Sequence, residues 1–538
     1  MAQGLAETPL KATEPHEKLE KAEDLPEFFI DIRPRSYTLP EIKEKEKIDV
    51  RYALLPPYAF AHIFWDDNNK ELVYQIEEHP LSDTEQELFR LLRVGLEEMI
   101  NISFAYATKS NLIIKYLEKN VQSILLEIGA KVSKKSYQKI MYYIYRDFVG
   151  LNEIEPLMHD YFIEDIECNG AGSAVYIVHR KYQNLRTNLI YHDPKKLVNF
   201  VEKLAQKSGR YVSFAKPLLD GSLPDGSRVN ATYTSDVTTH GPTFTIRKFT
   251  KEPLTPIHMI SYGSASPEVF AYLWMAVEHK FNVMIIGETA SGKTTFLNSI
   301  LQFVPSEARV VSIEDTREIS IEHENWIPSV VRSGFGIPNL LGKQYGEISL
   351  FDLLKESFRQ NPDYVVVGEV RGRETYVLFQ GMASGHSSYS TFHAASVETL
   401  VRRLETPPIN LPASLVDSLD IICTVIHVKD SNRNFRRLKE LEEILEVSQQ
   451  LGRVDSNTVF EWNPAKDNIN YKGNSHILQL ISKHIGRSVK ELEAELLKRA
   501  ALLKKLHEQG IINHVDFSNV INNYYKDPKA VLSRFKIT

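Results

Sequence analysis

The chain has 538 residues, more than one ordinary hydrophobic core accommodates, and this length predicts about three or four domains. Hydrophobic residues make up 43% and charged residues 25% of the chain, as is typical of a soluble globular protein. The formal net charge of −6 gives no global basic signal, so nucleic acid is not expected as a main partner. The only two cysteines, Cys168 and Cys423, exclude a disulfide framework and a zinc module of paired CxxC motifs.

The start of the chain favours a cytoplasmic location. Residues 1–30 are acidic and polar, so no signal peptide is expected. The apolar stretch from Tyr52 to Trp65 contains prolines and is shorter than the roughly 20 residues that span a bilayer. We therefore expect membrane contact only through partners.

Apolar patterning divides the first half of the chain into segments. Residues 1–47 are rich in Lys, Glu and Pro and predict a mobile charged tail. Residues 48–160 combine a β pattern with three helical repeats of apolar residues, which predict a three-helix bundle. Residues 161–249 predict an α+β subdomain with strands around a helix at Pro194–Ser208, and the prolines of 250–256 predict a linker.

The second half of the chain alternates between strand and helix patterns. This alternation predicts a doubly wound α/β core over residues 257–455. Beyond it, residues 456–538 are mainly helical in pattern and predict a C-terminal helical region. The predicted core strands are Val283–Ile286, Arg309–Ile313, Tyr364–Val367, Ser388–Phe392 and Ile421–Val428.

The first core strand runs into the sequence GETASGKT, which ends at Thr294. The pattern G-x-x-x-x-G-K-[ST] between a strand and a helix surrounds a phosphate with backbone N–H groups and a helix N-terminus. We expect Lys293 to reach the β- and γ-phosphates and the Thr294 hydroxyl to bind Mg²⁺. The predicted nucleotide-binding residues are Gly287, Glu288, Thr289, Ala290, Ser291, Gly292, Lys293, Thr294 and Thr295.

Carboxylates follow the next two core strands in the chain. A hydrolase needs Mg²⁺ and a water-activating carboxylate near the γ-phosphate. Glu314, Asp315 and Glu318 follow the second strand, at the sheet edge where doubly wound folds bind ligands. The third strand ends in Gly368, where nucleotide-binding folds usually carry an acid, and Glu369 comes next. We expect Glu369 to contact Mg²⁺ through water.

Two pairs of basic residues complete the candidate set. His386 and His393 flank the fourth core strand, and we interpret them as a pair that senses the γ-phosphate. Arg228 is presented by the turn sequence LPDGSR, and Arg247 lies in the strand sequence FTIRKF.

Four motifs then carry a family resemblance. GETASGKTT, SIEDTREI, RQNPDYVVVGEVRGRE and GHSSYSTFHA resemble, in this order, the Walker A, Asp box, Walker B and His box of the secretion ATPase superfamily. Members of that superfamily power type II secretion, type IV pili, archaella and type IV secretion. The resemblance extends over about Ile163 to Val447. It implies a RecA-like P-loop ATPase domain preceded by an N-terminal α+β domain, a homohexamer, and ATP with Mg²⁺ as ligands.

The resemblance also implies roles for the acidic residues. By position, Glu318 would polarise the attacking water, with Glu314 and Asp315 supporting the site. Glu369 would contact Mg²⁺ and take part in hydrolysis. Whether Glu318 or Glu369 is the principal base stays open.

The basic residues receive roles in the same way. His386 and His393 would couple the phosphate to domain movement. Arg228 and Arg247 match arginines with which the family's N-terminal domain contacts ATP phosphates, so the resemblance implies an active site between the two large domains. An arginine supplied in this way stabilises charge that develops on the γ-phosphoryl group.

Within the superfamily, the sequences YIVHRKY and EDTREISIEHENWIPSVVR resemble the archaeal branch, while YSTFHA and NTVFEWNP are most similar to archaellum motor ATPases. We therefore hypothesise a hexameric motor at the cytoplasmic face of the membrane that powers an archaellum or a related type IV pilus. A polytopic membrane platform protein and other filament motor components would be its partners. The alternatives are a pilus or secretion ATPase without a swimming role and, in another class, a non-hydrolysing nucleotide-gated scaffold.

Overall fold

The computed structural model describes residues 19–20, 25–33, 35, 37, 39–40, 45–99, 110–249, 252–332, 334, 344–429, 434–448 and 453–537. The chain forms two compact units, Met1–Phe249 and Thr250–Thr538. Among the described residues, each unit has its own nine-stranded β-sheet with buried apolar residues packed against it.

The described part of unit 1 contains a nine-stranded sheet in the order β2-β3-β4-β8-β7-β6-β11-β10-β9. Its neighbouring strands are antiparallel except for β4 and β8, while β1 and β5 form a separate two-stranded ribbon. The strands are β1 (Leu19–Glu20), β2 (Asp49–Leu55), β3 (Ala59–Asp66), β4 (Glu71–Glu78), β5 (Val132–Ser133), β6 (Ile163–Cys168), β7 (Ala174–His179), β8 (Gln183–Ile190), β9 (Leu218–Ser222), β10 (Arg228–Thr232) and β11 (Thr243–Arg247).

Three of the unit 1 helices pack against one another through the apolar residues that repeat at helical spacing. Leu96, Leu117 and Ile140, one from each helix, are almost fully buried. The helices of unit 1 are α1 (Asp83–Met99), α2 (Ser110–Glu127), α3 (Lys134–Ile144), α4 (Glu155–Met158) and α5 (Pro194–Lys207).

Part of the predicted N-terminal tail belongs to the core of unit 1. Phe28 and Leu39 are buried, and the Phe28 N–H donates to Glu118 Oε1 at 2.6 Å. The prediction of a mobile tail over residues 1–47 is therefore wrong for these residues. Isolated apolar side chains in a polar segment carry no periodic signal, yet they pack on a core that later elements build. Residues 1–18 lie outside the described part of the chain.

In unit 2 the described sheet has the order β14-β13-β15-β16-β12-β17-β18-β19-β20. It is parallel from β14 to β17 and antiparallel from β17 onward. The strands are β12 (Val283–Ile286), β13 (Val310–Glu314), β14 (Trp326–Val330), β15 (Tyr364–Val367), β16 (Ser387–Phe392), β17 (Ile421–Lys429), β18 (Asn434–Val447), β19 (Val454–Asn463) and β20 (Asn468–Tyr471).

Helices cover both faces of this sheet, so strands such as β12 and β15 are apolar and buried along their whole length. Ile285 packs in one core and Ile286 in another on the opposite face. The predicted α/β fold is confirmed. The helices are α6 (Pro256–Ser261), α7 (Pro267–Glu278), α8 (Lys293–Leu301), α9 (Leu350–Ser357), α10 (Glu374–Ala383), α11 (Val397–Glu405), α12 (Ala413–Val416), α13 (His476–Ile485), α14 (Val489–Glu508), α15 (His514–Lys526) and α16 (Pro528–Arg534).

The C-terminal region begins differently from its prediction. Strands β19 and β20 extend the sheet to Tyr471, and the helices of this region begin only at His476. The prediction of a mainly helical region from residue 456 is therefore wrong for the first part. The physical reason is pairing at long range, since β19 hydrogen-bonds along β18, a strand that the sequence analysis did not identify.

Glu443 on β18 joins the sheet to the C-terminal helices. Its side chain is fully buried, and Oε1 accepts hydrogen bonds from the Tyr272 hydroxyl at 2.6 Å and the Ser475 hydroxyl at 2.5 Å. Oε2 accepts from Asn457 Nδ2 at 2.9 Å and from the His476 N–H at 2.6 Å. A buried carboxylate with this many donors is compensated for its lost hydration.

We expect Glu443→Ala to lower the free energy of unfolding by about 3–5 kcal/mol, because several buried donors lose their shared acceptor. Glu440→Ala on the same strand is the control, since Glu440 is half-buried and pairs with Lys439 at 3.2 Å. Its expected effect is below about 1 kcal/mol. Chemical denaturation of the full chain measures both, and equal losses would contradict the assigned role of Glu443.

Candidate nucleotide-binding site

Two glycines shape the loop between β12 and α8. Gly292 precedes α8 with φ of 89°, in the left-handed region that favours glycine. A Cβ at Gly287 would lie 2.2 Å from the Val425 carbonyl oxygen of β17. The loop can therefore lie against β17 and turn directly into α8, whose first N–H groups are suited to bind phosphate.

The other predicted loop residues are near the same turn. Thr294 and Thr295 are half-buried in the first turn of α8, and Ser291 is buried. Glu288, Thr289 and Ala290 form the exposed part of the loop.

The Lys293 side chain lies back against the loop. Its Nζ donates to the carbonyl oxygens of Gly287 at 3.1 Å and Glu288 at 2.9 Å, and it lies 3.3 Å from His393 Nδ1. Burial lowers the pKa of Lys293, while the nearby charges of Glu369 and Glu318 oppose that shift. Both predicted carboxylates are therefore within electrostatic reach of the lysine.

His393 connects Lys293 to Glu369. Its Nε2 lies 3.0 Å from Glu369 Oε1, and Glu369 Oε2 accepts from Arg371 Nη2 at 2.6 Å. Burial and the charge of Lys293 lower the pKa of His393, which favours the neutral ring. In a neutral ring whose Nδ1 accepts from Lys293, Nε2 carries the proton on the side of the ring that faces Glu369. Lys293, His393 and Glu369 thus form one series of contacts.

Glu314 holds the Asp box in position from inside the sheet. The side chain is buried, and Oε1 accepts the N–H groups of Glu318 at 2.8 Å and Ile319 at 2.7 Å. A Cβ at Gly368 would lie only 3.1 Å from Glu314 Cγ. The close approach of the acid of the neighbouring strand favours glycine at this end of β15. Asp315 is exposed, and the pKa of Arg371 is raised mainly by its hydrogen bond to Glu369 and in smaller part by the charge of Asp315.

Asn298 is a residue of this site that the sequence analysis missed. From α8 its Nδ2 donates to the Glu318 carbonyl oxygen at 2.9 Å, and its Oδ1 accepts from the Ser320 N–H at 3.0 Å. These two bonds fasten the Asp box to the helix that begins with Lys293. No motif marks this asparagine, and its position in α8 is the only sequence signal for it.

His386 does not lie at this site. It precedes β16 and His393 follows it, and a strand of 6 residues extends about 20 Å at 3.3 Å per residue. The His386 ring packs edge-on against Phe358, with ring centroids 4.9 Å apart. The prediction that the two histidines act as a pair at the phosphate is wrong, because they lie at opposite ends of one strand and only His393 is at the end where the loop lies.

In unit 1, Arg228 and Arg247 lie directly opposite each other on β10 and β11. Both side chains are exposed, and Arg228 Nη2 lies 3.2 Å from Asp220 Oδ2. Like charges directly opposite each other on a sheet are unfavourable, and here carboxylates offset them, because Asp220 pairs with Arg228 and Asp165 lies opposite Arg247 on β6. Both guanidinium groups therefore lie on one exposed face of unit 1.

The oxygen ligands near the loop fit Mg²⁺. The candidates are the Thr294 hydroxyl and the Glu369 carboxylate, both of which carry the hard oxygen donors that Mg²⁺ prefers. Within the described ranges there is no group of three or more His, Cys, Asp or Glu that could form a cage. Mg²⁺ at kinase and ATPase sites is instead held by one or two protein oxygens together with substrate phosphates.

Glu314 is expected to make the protein less stable as the pH rises from about 5 to about 7. Burial raises the pKa of its carboxyl from 4.5 to about 7. In this window the folded chain binds a proton that the unfolded chain releases, so the free energy of unfolding falls as the pH increases. Glu314→Gln keeps an oxygen for the two N–H groups and cannot ionise. Denaturation at about pH 5 and about pH 8 should therefore show a smaller change in the variant, and an unchanged pH dependence would contradict the assignment.

None of the helices in the described ranges is both long enough and apolar enough to cross a membrane.

Comparison with known proteins identifies the class of protein that this fold and loop define. The Type II/IV secretion system protein family matches residues 148–516, and the chain belongs to this family. The predicted membership of the secretion ATPase superfamily is thereby confirmed.

Relatives of the chain occur in archaea and bacteria. The uncharacterized protein MJ0900 of Methanocaldococcus jannaschii is 37% identical over 400 residues, which cover 74% of this chain and 71% of MJ0900. The type IV secretion system protein PtlH of Bordetella pertussis is 27% identical over 42% of this chain and 74% of PtlH. Among solved structures, the ATPase DotB of Legionella pneumophila aligns with a TM-score of 0.39 and 17% identity, over 67% of this chain and 92% of DotB.

Proposed function

We propose that this protein is an ATP-hydrolysing motor that powers the assembly or rotation of an archaellum or a related type IV pilus-like filament. The observation that carries the proposal is the series of contacts from Lys293 through His393 to Glu369. At one end of the series is a lysine that is suited to bind a terminal phosphate. At the other end is a carboxylate that is suited to polarise water or to bind Mg²⁺. Membership of the secretion family supports the motor class.

Each group of the site has a proposed part in hydrolysis. The loop N–H groups and Lys293 bind the triphosphate, and Glu318 or Glu369 polarises the attacking water. Mg²⁺, held by Thr294 and Glu369, would supply positive charge that offsets the charge of the phosphates. Glu314 and Asn298 keep the backbone of the Asp box at a fixed place beside α8.

The arginine pair of unit 1 is proposed to bind nucleotide phosphates. Arg228 and Arg247 present two guanidinium groups on one exposed face, and such groups stabilise charge that develops on a transferred phosphoryl group.

The proposed motor works as a homohexamer at the inner face of the cytoplasmic membrane. Its partners are a polytopic membrane platform protein and other filament motor components, and its contact with the membrane is indirect. The proposal includes no role for nucleic acid.

A second candidate function is secretion or conjugation without a swimming role. It is favoured by the relatives, which include PtlH, a type IV secretion system protein, and a putative conjugal transfer protein of Mycobacterium tuberculosis. The non-hydrolysing scaffold has less support, because the close packing of Glu314 favours glycine at residue 368 whether or not the chain hydrolyses ATP.

Deletion of the gene separates the two functions. We expect the deletion strain to lose swimming or surface filaments, and a copy of the wild-type gene to restore them while a Lys293→Ala copy does not. A strain that swims and forms filaments normally but loses protein or DNA transfer would replace the filament motor with the secretion ATPase.

A further inference from the structure

Arg436 on β18 lies against the nucleotide-binding loop. Its Nε donates to the Ala290 carbonyl oxygen at 3.0 Å. A Cβ built on Gly292 would come within 3.0 Å of Arg436 Cδ, so the side chain follows the loop closely. Ala290 has φ of 61°, a left-handed conformation that is uncommon for alanine. The hydrogen bond to its carbonyl fixes Arg436 beside this turn.

The rest of the Arg436 guanidinium is available for a ligand. A guanidinium has five N–H donors, and within the described ranges the terminal amino groups of Arg436 have no protein partner. The adjacent Arg437 is different, because it binds both carboxylate oxygens of Asp467 at 2.8 and 2.7 Å and donates to the Tyr262 carbonyl oxygen at 2.9 Å. Arg437 is buried and has a structural role, whereas Arg436 is exposed beside the loop.

The strand order fixes which end of a nucleotide Arg436 faces. In the sheet, β16 lies on one side of β12, and β17 with β18 lies on the other. Lys293 is directed toward β16 through its contact with His393, so the terminal phosphate belongs on that side. A nucleotide that lies along the loop then has its α-phosphate and nucleoside toward β18.

We propose that Arg436 binds the α-phosphate of the bound nucleotide. The inference rests on the proposed function, because it assumes that the loop binds a nucleoside di- or triphosphate. A guanidinium beside a phosphate forms short, charge-assisted hydrogen bonds, and it adds affinity without acting on the γ-phosphoryl group. Arg436 is thus a binding residue for ADP and ATP alike, and the energy of this contact is present equally before and during hydrolysis.

The test is equilibrium binding of ADP, of a non-hydrolysable ATP analogue and of inorganic pyrophosphate to the full chain. For Arg436→Ala we expect the Kd values of both nucleotides to rise by the same factor, about ten- to hundredfold. We expect kcat at saturating ATP to change less than about twofold, as for any interaction that binds substrate and transition state equally. Arg436→Lys should give intermediate Kd values, because the charge remains and the planar fork is lost.

The control variant is Lys439→Ala, on the same strand and half-exposed beside Glu440, which should bind all three ligands normally. Pyrophosphate binding distinguishes a direct contact between Arg436 and the α-phosphate from an indirect effect in which Arg436 only stabilises the loop. A direct α-phosphate contact spares pyrophosphate bound beside Lys293, whereas loss of loop support weakens pyrophosphate as much as ADP. Equal weakening of pyrophosphate, or unchanged nucleotide affinity in Arg436→Ala, would overturn the inference while the proposed function stands. A wild-type chain that binds no nucleotide would overturn both.

Discussion

Replacing Lys293 with alanine is expected to lower kcat/KM for ATP by about a hundred- to thousandfold, the usual loss when a preorganised electrostatic donor is removed. The lysine Nζ is held by the Gly287 and Glu288 carbonyl oxygens within the loop, and it lies next to His393. Removal of the side chain deletes both the charge that meets the terminal phosphate and the first member of the contact series to Glu369. Steady-state phosphate release from the full chain measures the effect.

The control for this variant is Lys280→Ala. Lys280 lies in the same unit, is half-exposed and pairs with Asp363 at 2.7 Å, on the side of the sheet where β12 begins. We expect its kcat/KM to stay within about twofold of the wild type, since surface ion pairs contribute little. Equal activity of the Lys293→Ala chain and the Lys280→Ala chain would contradict the assignment of the loop.

Glu369→Gln is expected to lower kcat for ATP hydrolysis by about a hundred- to ten-thousandfold while nucleotide affinity is retained. Glutamine keeps the size of the side chain and one oxygen that can accept from Arg371, but it loses the negative charge that would bind Mg²⁺ or polarise water. A loss confined to kcat identifies an interaction that acts in the transition state. The comparison needs kcat from phosphate release and Kd from binding of a non-hydrolysable ATP analogue.

Glu356→Gln serves as the matched control, because Glu356 is an exposed residue of α9 that faces Arg359 at 3.7 Å. Its kcat should equal that of the wild type. If Glu369→Gln hydrolyses ATP at the wild-type rate, Glu369 has no part in the chemistry and Glu318 alone remains as the proposed base.

The parts of the site that sequence predicts are the parts that local chain geometry determines. The strand, glycine loop and helix around Lys293 are contiguous, so the motif specifies their arrangement directly. Glu369 follows its strand by two residues, which also places it at the correct sheet edge. The strands Val283–Ile286 and Tyr364–Val367 occur at their predicted positions because buried parallel strands are continuous apolar runs.

What sequence does not predict depends on contacts between distant segments. Asn298 hydrogen-bonds to backbone groups of residues 318 and 320, and Arg436 to the backbone of residue 290. A hydrogen bond to a backbone group does not depend on the partner's side chain, so it leaves no recognisable pattern in the sequence. From sequence alone residue 368 is a missing acid, and only the position of Glu314 on the neighbouring strand shows why glycine is favoured there. Proximity in sequence pairs His386 with His393, although the two residues lie at opposite ends of the strand between them.

Phosphate release by the purified full chain tests the central claim most directly. The assay uses ATP with Mg²⁺ and added lipid, and it compares the wild type with Lys293→Ala and Glu369→Gln. We expect saturable ATP hydrolysis by the wild type, lowered at least about a hundredfold by each substitution. Phosphate release at the same rate in all three chains, or none from a folded wild type that binds ATP, would contradict it.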